Sequence, residues 1–182
     1  DDGVGIWVTD NAKIAENANH TKTFEYNYDG KNNKNGFAMA FGGRNTGITH
    51  ASNELDIKFS NHATNPVDLA YEQAKSKVAA IDGGTYKGIA GILVNTNDGA
   101  DTVTNRGNIE EDKSKTNVRA YGAVVNKGRL VNYGNIELND SLNEDASNVD
   151  KTDLKKVNVG ILANDHSLAA RTNTYIENHG DI

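Results

Sequence analysis

An internal repeat centred on residues 121–138 (YGAVVNKGRLVNYGNIEL) restricts the fold of this chain more than any other feature. Two phrases define it. The first is a Gly, three mostly apolar residues and an Asn: Gly91/Asn95, Gly122/Asn126 and Gly160/Asn164. The second is Asn-x-Gly-[Asn/Asp]-Ile: Asn105/Gly107/Ile109, Asn132/Gly134/Ile136 and Asn178/Gly180/Ile182. The first-phrase glycines recur at intervals of 31 and 38 residues, so a constant frame carries loops of different length.

Each phrase is too short for a helix, and its Val, Ile and Leu residues favour strands. One copy cannot bury its apolar face alone, so the copies must stack. Stacked copies form parallel sheets in which each side chain lies above its equivalent in the previous rung. The expected fold is therefore all-β, a parallel β-helix. Asn95, Asn126, Asn164, Asn105, Asn132 and Asn178 are expected to form internal amide ladders, each amide satisfying the next. The glycines of the second phrase, Gly107, Gly134 and Gly180, are expected to supply positive φ at a tight corner.

The stretches GAVVNKGRLVNYGNIEL, TNRGNIEE and ENHGDI resemble the passenger-domain repeats of bacterial type V autotransporters, over about residues 88–182. The resemblance implies a right-handed parallel β-helix, about five rungs here. It also implies a secreted or surface-displayed segment of a large outer-membrane virulence protein, most often an adhesin. Its partners would be a host or bacterial surface receptor, protein or glycan, and flanking rungs of the same chain.

The bulk composition agrees with a thin solenoid. The chain has 182 residues, enough for one domain with a sizeable core, and 36% of them are hydrophobic. Mean hydropathy is −0.65, which fits a shape with much surface per residue. Eighteen Gly against one Pro indicate turns made by Gly. A net charge of −6, with no Lys/Arg stripe, argues against nucleic acid as a partner. The chain has no Cys, which is compatible with export through an oxidising compartment. No apolar stretch is long enough to span a membrane, and a start at Asp1 reads as a piece of a longer protein.

Residues 1–57 read as two worn copies of the repeat, with Gly5 aligned to Gly36 and Leu55 standing where the second phrase has Gly. Leu at positive φ would be costly there. Residues 58–87 break the frame as an insertion. Within it Val67, Ala70, Ala74, Val78 and Ile81 fall at helical spacing, behind Asn65 as N-cap and Pro66 as first residue. A short amphipathic helix is expected over 67–81.

Two polar loops, 110–117 and 139–156, leave from the same point of the repeat and should reach one side of the solenoid. Insertions on one face often mark the binding face. The best ligand-binding candidates are Asp140, Asn143, Glu144, Asp145, Asn148, Asp150 and Asp153. The acidic residues among these are also the candidates for calcium, but D-x-D-x-D-G spacing is absent. His20, His50, His62, His166 and His179 show no zinc spacing, so no metal and no cofactor is expected.

A polysaccharide-cleaving enzyme is the rival class, because the β-helix can host one. It would need converging acids or bases, whereas Asp56, Asp101, Arg106, Arg119 and Arg129 are scattered along the repeat. The expected function is non-enzymatic: adhesion through loops on a rigid stalk, or a stalk that only spaces a binding tip.

Overall fold

A short apolar run closed by a turn residue leaves its backbone N–H and C=O groups to be satisfied by neighbouring strands. The computed structural model describes residues 3–16, 22–28, 36–43, 46–61, 89–112, 120–139, 158–163 and 174–182, in which fourteen strands occur and no helix. The first coil comprises β1 (Gly3–Val8), β2 (Lys13–Ile14) and β3 (Thr23–Tyr28). The second comprises β4 (Gly36–Gly42), β5 (His50–Asn53) and β6 (Asp56–Asn61). The third holds β7 (Ile89–Asn95), β8 (Thr102–Asn105) and β9 (Ile109–Glu111), and the fourth β10 (Ala120–Lys127), β11 (Arg129–Asn132) and β12 (Ile136–Glu137). The fifth contributes β13 (Val159–Ala163) and β14 (Tyr175–Asn178).

Every third strand is a neighbour. Sheet A runs β1-β4-β7-β10-β13, sheet B β2-β5-β8-β11-β14 and sheet C β3-β6-β9-β12, all pairings parallel. The chain thus visits three sheets in turn on each coil, the connectivity of a parallel β-solenoid.

Stacking turns the repeat into columns. Val8, Phe41, Val94 and Val125 align in sheet A; Ala51, Val103 and Leu130 align in sheet B; Ile57, Ile109 and Ile136 align in sheet C. All of them are buried in one interior cluster. Each large aliphatic side chain so buried contributes roughly 1.5–3 kcal/mol. Sheet A also buries its outer face: Phe37, Ala90 and Tyr121 form one column there, and Ala40, Leu93 and Val124 another.

The register departs from the sequence reading in two places, and the positive-φ corner in a third. Gly3, not Gly5, pairs with Gly36, and the flanking pairs Val4↔Phe37 and Ile6↔Met39 set Gly5 opposite Ala38. Lys127, not Asn126, pairs with Asn95, because the register shifts between Val125 and Lys127. The cause is corner length. The third coil crosses from β7 to β8 through residues 96–101, whereas the fourth passes directly from β10 through Gly128 to β11. Positive φ belongs to this first corner, at Gly128 (115°), Gly42 and Gly43, and not to Gly107, Gly134 or Gly180.

The segment boundaries also shift. Residues 58–61, read as the start of the insertion, complete β6, while the helix expected over 67–81 lies outside the described residues. Glu110 and Glu111, read as loop, lie in β9, and only Asp112 of the remainder of that loop is described. Asn164 and all of 140–157 are outside the described residues.

Candidate functional site

The second phrase builds the site position by position. Its Asn points inward and forms a ladder: Asn53 Nδ2 donates to Asn105 Oδ1 (2.8 Å), Asn105 to Asn132 (2.7 Å) and Asn132 to Asn178 (2.7 Å). Each Nδ2 also donates to the carbonyl two residues on, Leu55, Gly107, Gly134 or Gly180, at 2.6–2.7 Å. Three members thereby use both amide hydrogens within buried or half-buried surroundings, which is how a buried amide avoids a desolvation cost. Asn53 takes the register position of Ile14, where the ladder begins.

The glycine two residues on is required by close approach. A Cβ on Gly134 would collide with the carbonyl of Gly107, and one on Gly107 with that of Leu55. Leu55 stands in the place of Gly in the second coil, next to a first coil whose share of sheet B is the short strand Lys13–Ile14. The next position forms a second ladder. Asp56 Oδ1 accepts from Asn108 N (2.8 Å), Asn108 Oδ1 from Asn135 N (3.0 Å) and Asn135 Oδ1 from Asp181 N (3.1 Å).

Between these ladders the variable residue x must point outward. Arg106, Tyr133 and His179 occupy it, aligned by backbone bonds to Asn53, Asn105 and Asn132 of the preceding coils. The Tyr133 and His179 rings stack with centroids 4.6 Å apart and planes 6° from parallel, and the Arg106 guanidinium lies 5.6 Å from the Tyr133 centroid. Four residues earlier, Arg129 sits 4.2 Å over the Tyr175 ring. Glu177 joins the two columns, contacting Arg129 Nη2 at 3.1 Å and His179 Nε2 at 2.7 Å. Hydrogen bonds from His179, then from Arg129, hold the Glu177 carboxyl below the usual carboxylate range. Tyr133 and Tyr175 remain 49% and 46% exposed, so the outer face of sheet B presents ordered aromatic and charged groups to solvent. Nothing in composition marked these residues. The available signal was their shared place in the repeat.

A second cluster lies where the polar loops leave. Glu111 pairs with Phe59 in sheet C and is buried. Burial pushes its carboxyl up to about 7, against the hydrogen bonds with Asn139 that hold it down. Glu111 Oε2 accepts from Asn139 N (2.9 Å) and Asn158 Nδ2 (3.2 Å), and Asn158 Nδ2 also reaches the Asn139 carbonyl (2.9 Å). Asn158 Oδ1 accepts from Ala120 N (2.9 Å), so one knot joins the feet of both loops.

The loop candidates Asp140, Asn143, Glu144, Asp145, Asn148, Asp150 and Asp153 lie outside the described residues, as do His20, His62, His166 and Arg119. The acid and base candidates that are described have separate engagements. Asp56 belongs to the outer ladder, Asp101 accepts from Asp98 N in a turn (2.8 Å), and Arg106 and Arg129 belong to the aromatic columns. Among the described residues no group of three His, Cys, Asp or Glu side chains is placed to hold a metal ion. No protein family model, curated protein or solved structure matches the chain.

Proposed function

We propose that the chain is a segment of a right-handed parallel β-helix displayed at the cell surface as the passenger of an autotransporter-like protein. An amphipathic helix over 67–81 is inserted between its second and third coils. Its work is adhesion to a receptor, protein or glycan, on a host cell or another bacterium. The observation that carries this reading is the outer face of sheet B, where the Tyr133–His179 stack with Arg106 beside it and the Arg129–Tyr175 pair stand next to each other, all but the half-buried Arg129 exposed. Tyr and Arg are the residues that dominate binding energy at interfaces. Stacking fixes their rotamers before contact, which lowers the entropy lost on binding. Repetition along the solenoid lets many weak contacts act together.

The second reading, a stalk that only spaces a binding tip, is favoured by the unbroken Asn ladder through four coils. Binding of the labelled protein to a glycan panel and to cells separates the two. The adhesin reading expects saturable binding that falls when Tyr133 and Tyr175 are both changed to Ala, or when 140–153 is replaced by a short turn. Absence of binding by the folded parent protein would leave the stalk.

A further inference from the structure

We infer that the apolar outer face of sheet A is the dock for the chain's own segment 67–81. The face is made by Phe37, Ala40, Ala90, Leu93, Tyr121 and Val124, from β4, β7 and β10, and each is at most 1% exposed. They point away from the solenoid interior, because their strand neighbours Met39, Phe41, Ile92, Val94, Ala123 and Val125 fill it. A bare outer face would be wet. Among the described residues, the apolar ones packed around this cluster, Val4, Val159 and Leu162, all come from sheet A itself, so the cover lies outside the described residues.

Position and composition choose the segment. Residues 62–88 leave at the end of β6 and return at Ile89, the first residue of β7, which is the central strand of the buried patch. Burial is complete on β4, β7 and β10 and falls away at both margins: Trp7, aligned with Ala40, is 51% exposed, and Val159 and Leu162 are half-buried. The patch is therefore centred on the strand that the segment enters. Three strands span about 10 Å between their outer axes, and a 15-residue helix is about 22 Å long and about 10 Å across, so one helix suffices. Val67, Ala70, Ala74, Val78 and Ile81 give 67–81 an apolar stripe, with Asp68, Glu72, Lys75 and Lys77 between. The other long gap near sheet A, 140–157, is rich in charge, with Asp140, Glu144, Asp145, Asp150, Lys151, Asp153, Lys155 and Lys156. A sheet of parallel strands is normally covered on both faces, and here the solenoid interior covers only one.

The dock is independent of any receptor, and the absence of cysteine makes it directly testable. Leu93→Cys and Val124→Cys are each combined with Ala70→Cys, Ala74→Cys or Val78→Cys and treated with a short bismaleimide. The expected result is a crosslink within one chain for at least one pair. Leu93→Cys alone should react with a maleimide at least about tenfold more slowly in the folded protein than in urea. Replacing 62–88 by a short turn should remove that protection and raise binding of an apolar dye, with the strand signal in circular dichroism retained. Crosslinks only between chains would assign the face to a second copy. Protection that survives the replacement would assign it to another segment, and an unprotected Leu93→Cys would leave the face open; any of these overturns the proposal.

Discussion

Ile136 occupies the space that a side chain on Gly122 would need. A Cβ at Gly122 would lie well inside van der Waals contact of Ile136 Cγ2 and 2.6 Å from the carbonyl oxygen of Gly160 in the next coil. Gly91 stands in the same relation to Ile109, and Gly160 to Ile182. The glycine of the first phrase and the isoleucine of the second are thus two halves of one packing unit across the interior.

Gly122→Ala should therefore destabilise the protein by roughly 1–3 kcal/mol, the usual cost of overpacking a filled core. Pairing it with Ile136→Ala should give a loss smaller than the sum of the two single losses, because the second change empties the contested space. Rescue stays incomplete, since the Gly160 carbonyl is backbone and cannot withdraw. Chemical denaturation of the four proteins in the cycle measures this.

The Asn ladder makes a second prediction. Asn132→Ala removes one amide and leaves Asn105 Nδ2, Asn178 Oδ1 and the Gly134 carbonyl without their partner. A loss of roughly 1–3 kcal/mol follows for such buried groups. Asn132→Asp should cost at least as much, because the new carboxylate cannot donate to Asn178 or Gly134 and is buried. An unchanged melting temperature for Asn132→Ala would refute the ladder as a source of stability.

Glu111 predicts a pH dependence. Its folded pKa of about 7 exceeds the ordinary 4.5, so the folded state holds its proton more tightly than the unfolded one. The stability it confers is fully present below about 4.5 and is lost as pH rises through about 7. Glu111→Gln keeps an oxygen to accept from Asn139 and Asn158 but cannot ionise. At pH 8 it should be more stable than the parent protein by roughly 1–3 kcal/mol, with the difference shrinking as pH falls to 5. Thermal melts of the two proteins across that range test it, and a constant difference would count against the burial argument.

Gly128 should be hard to replace. Its φ of 115° is a conformation that side chains rarely adopt, and a Cβ there would also meet the Thr96 hydroxyl. Gly128→Ala should cost about 1–3 kcal/mol, read as a shift in the denaturation midpoint. Asn126→Ala, at the neighbouring register shift, tests a different residue environment from the ladder, because Asn95 is opposite Lys127.

The repeat by itself determined that the chain is built from strands, that its copies stack in parallel, and which positions recur: Asn132, Gly134 and Ile136 carry the same job as Asn105, Gly107 and Ile109. Those properties are local, since every coil solves the same short-range problem of burying a few aliphatic residues and closing a turn. Only the tertiary structure decided that Asn132 bonds to Asn178 while Lys127 and not Asn126 stands opposite Asn95, that Gly134 answers a backbone approach and not a torsion, and that Glu111 is buried opposite Phe59. Residues joined in the ladder are 27 to 52 positions apart, and their alignment depends on how many residues each corner and loop consumes. The outward column of Arg106, Tyr133 and His179 follows from the same register: x has no fixed identity in the repeat, so its neighbours exist only once the coils are stacked.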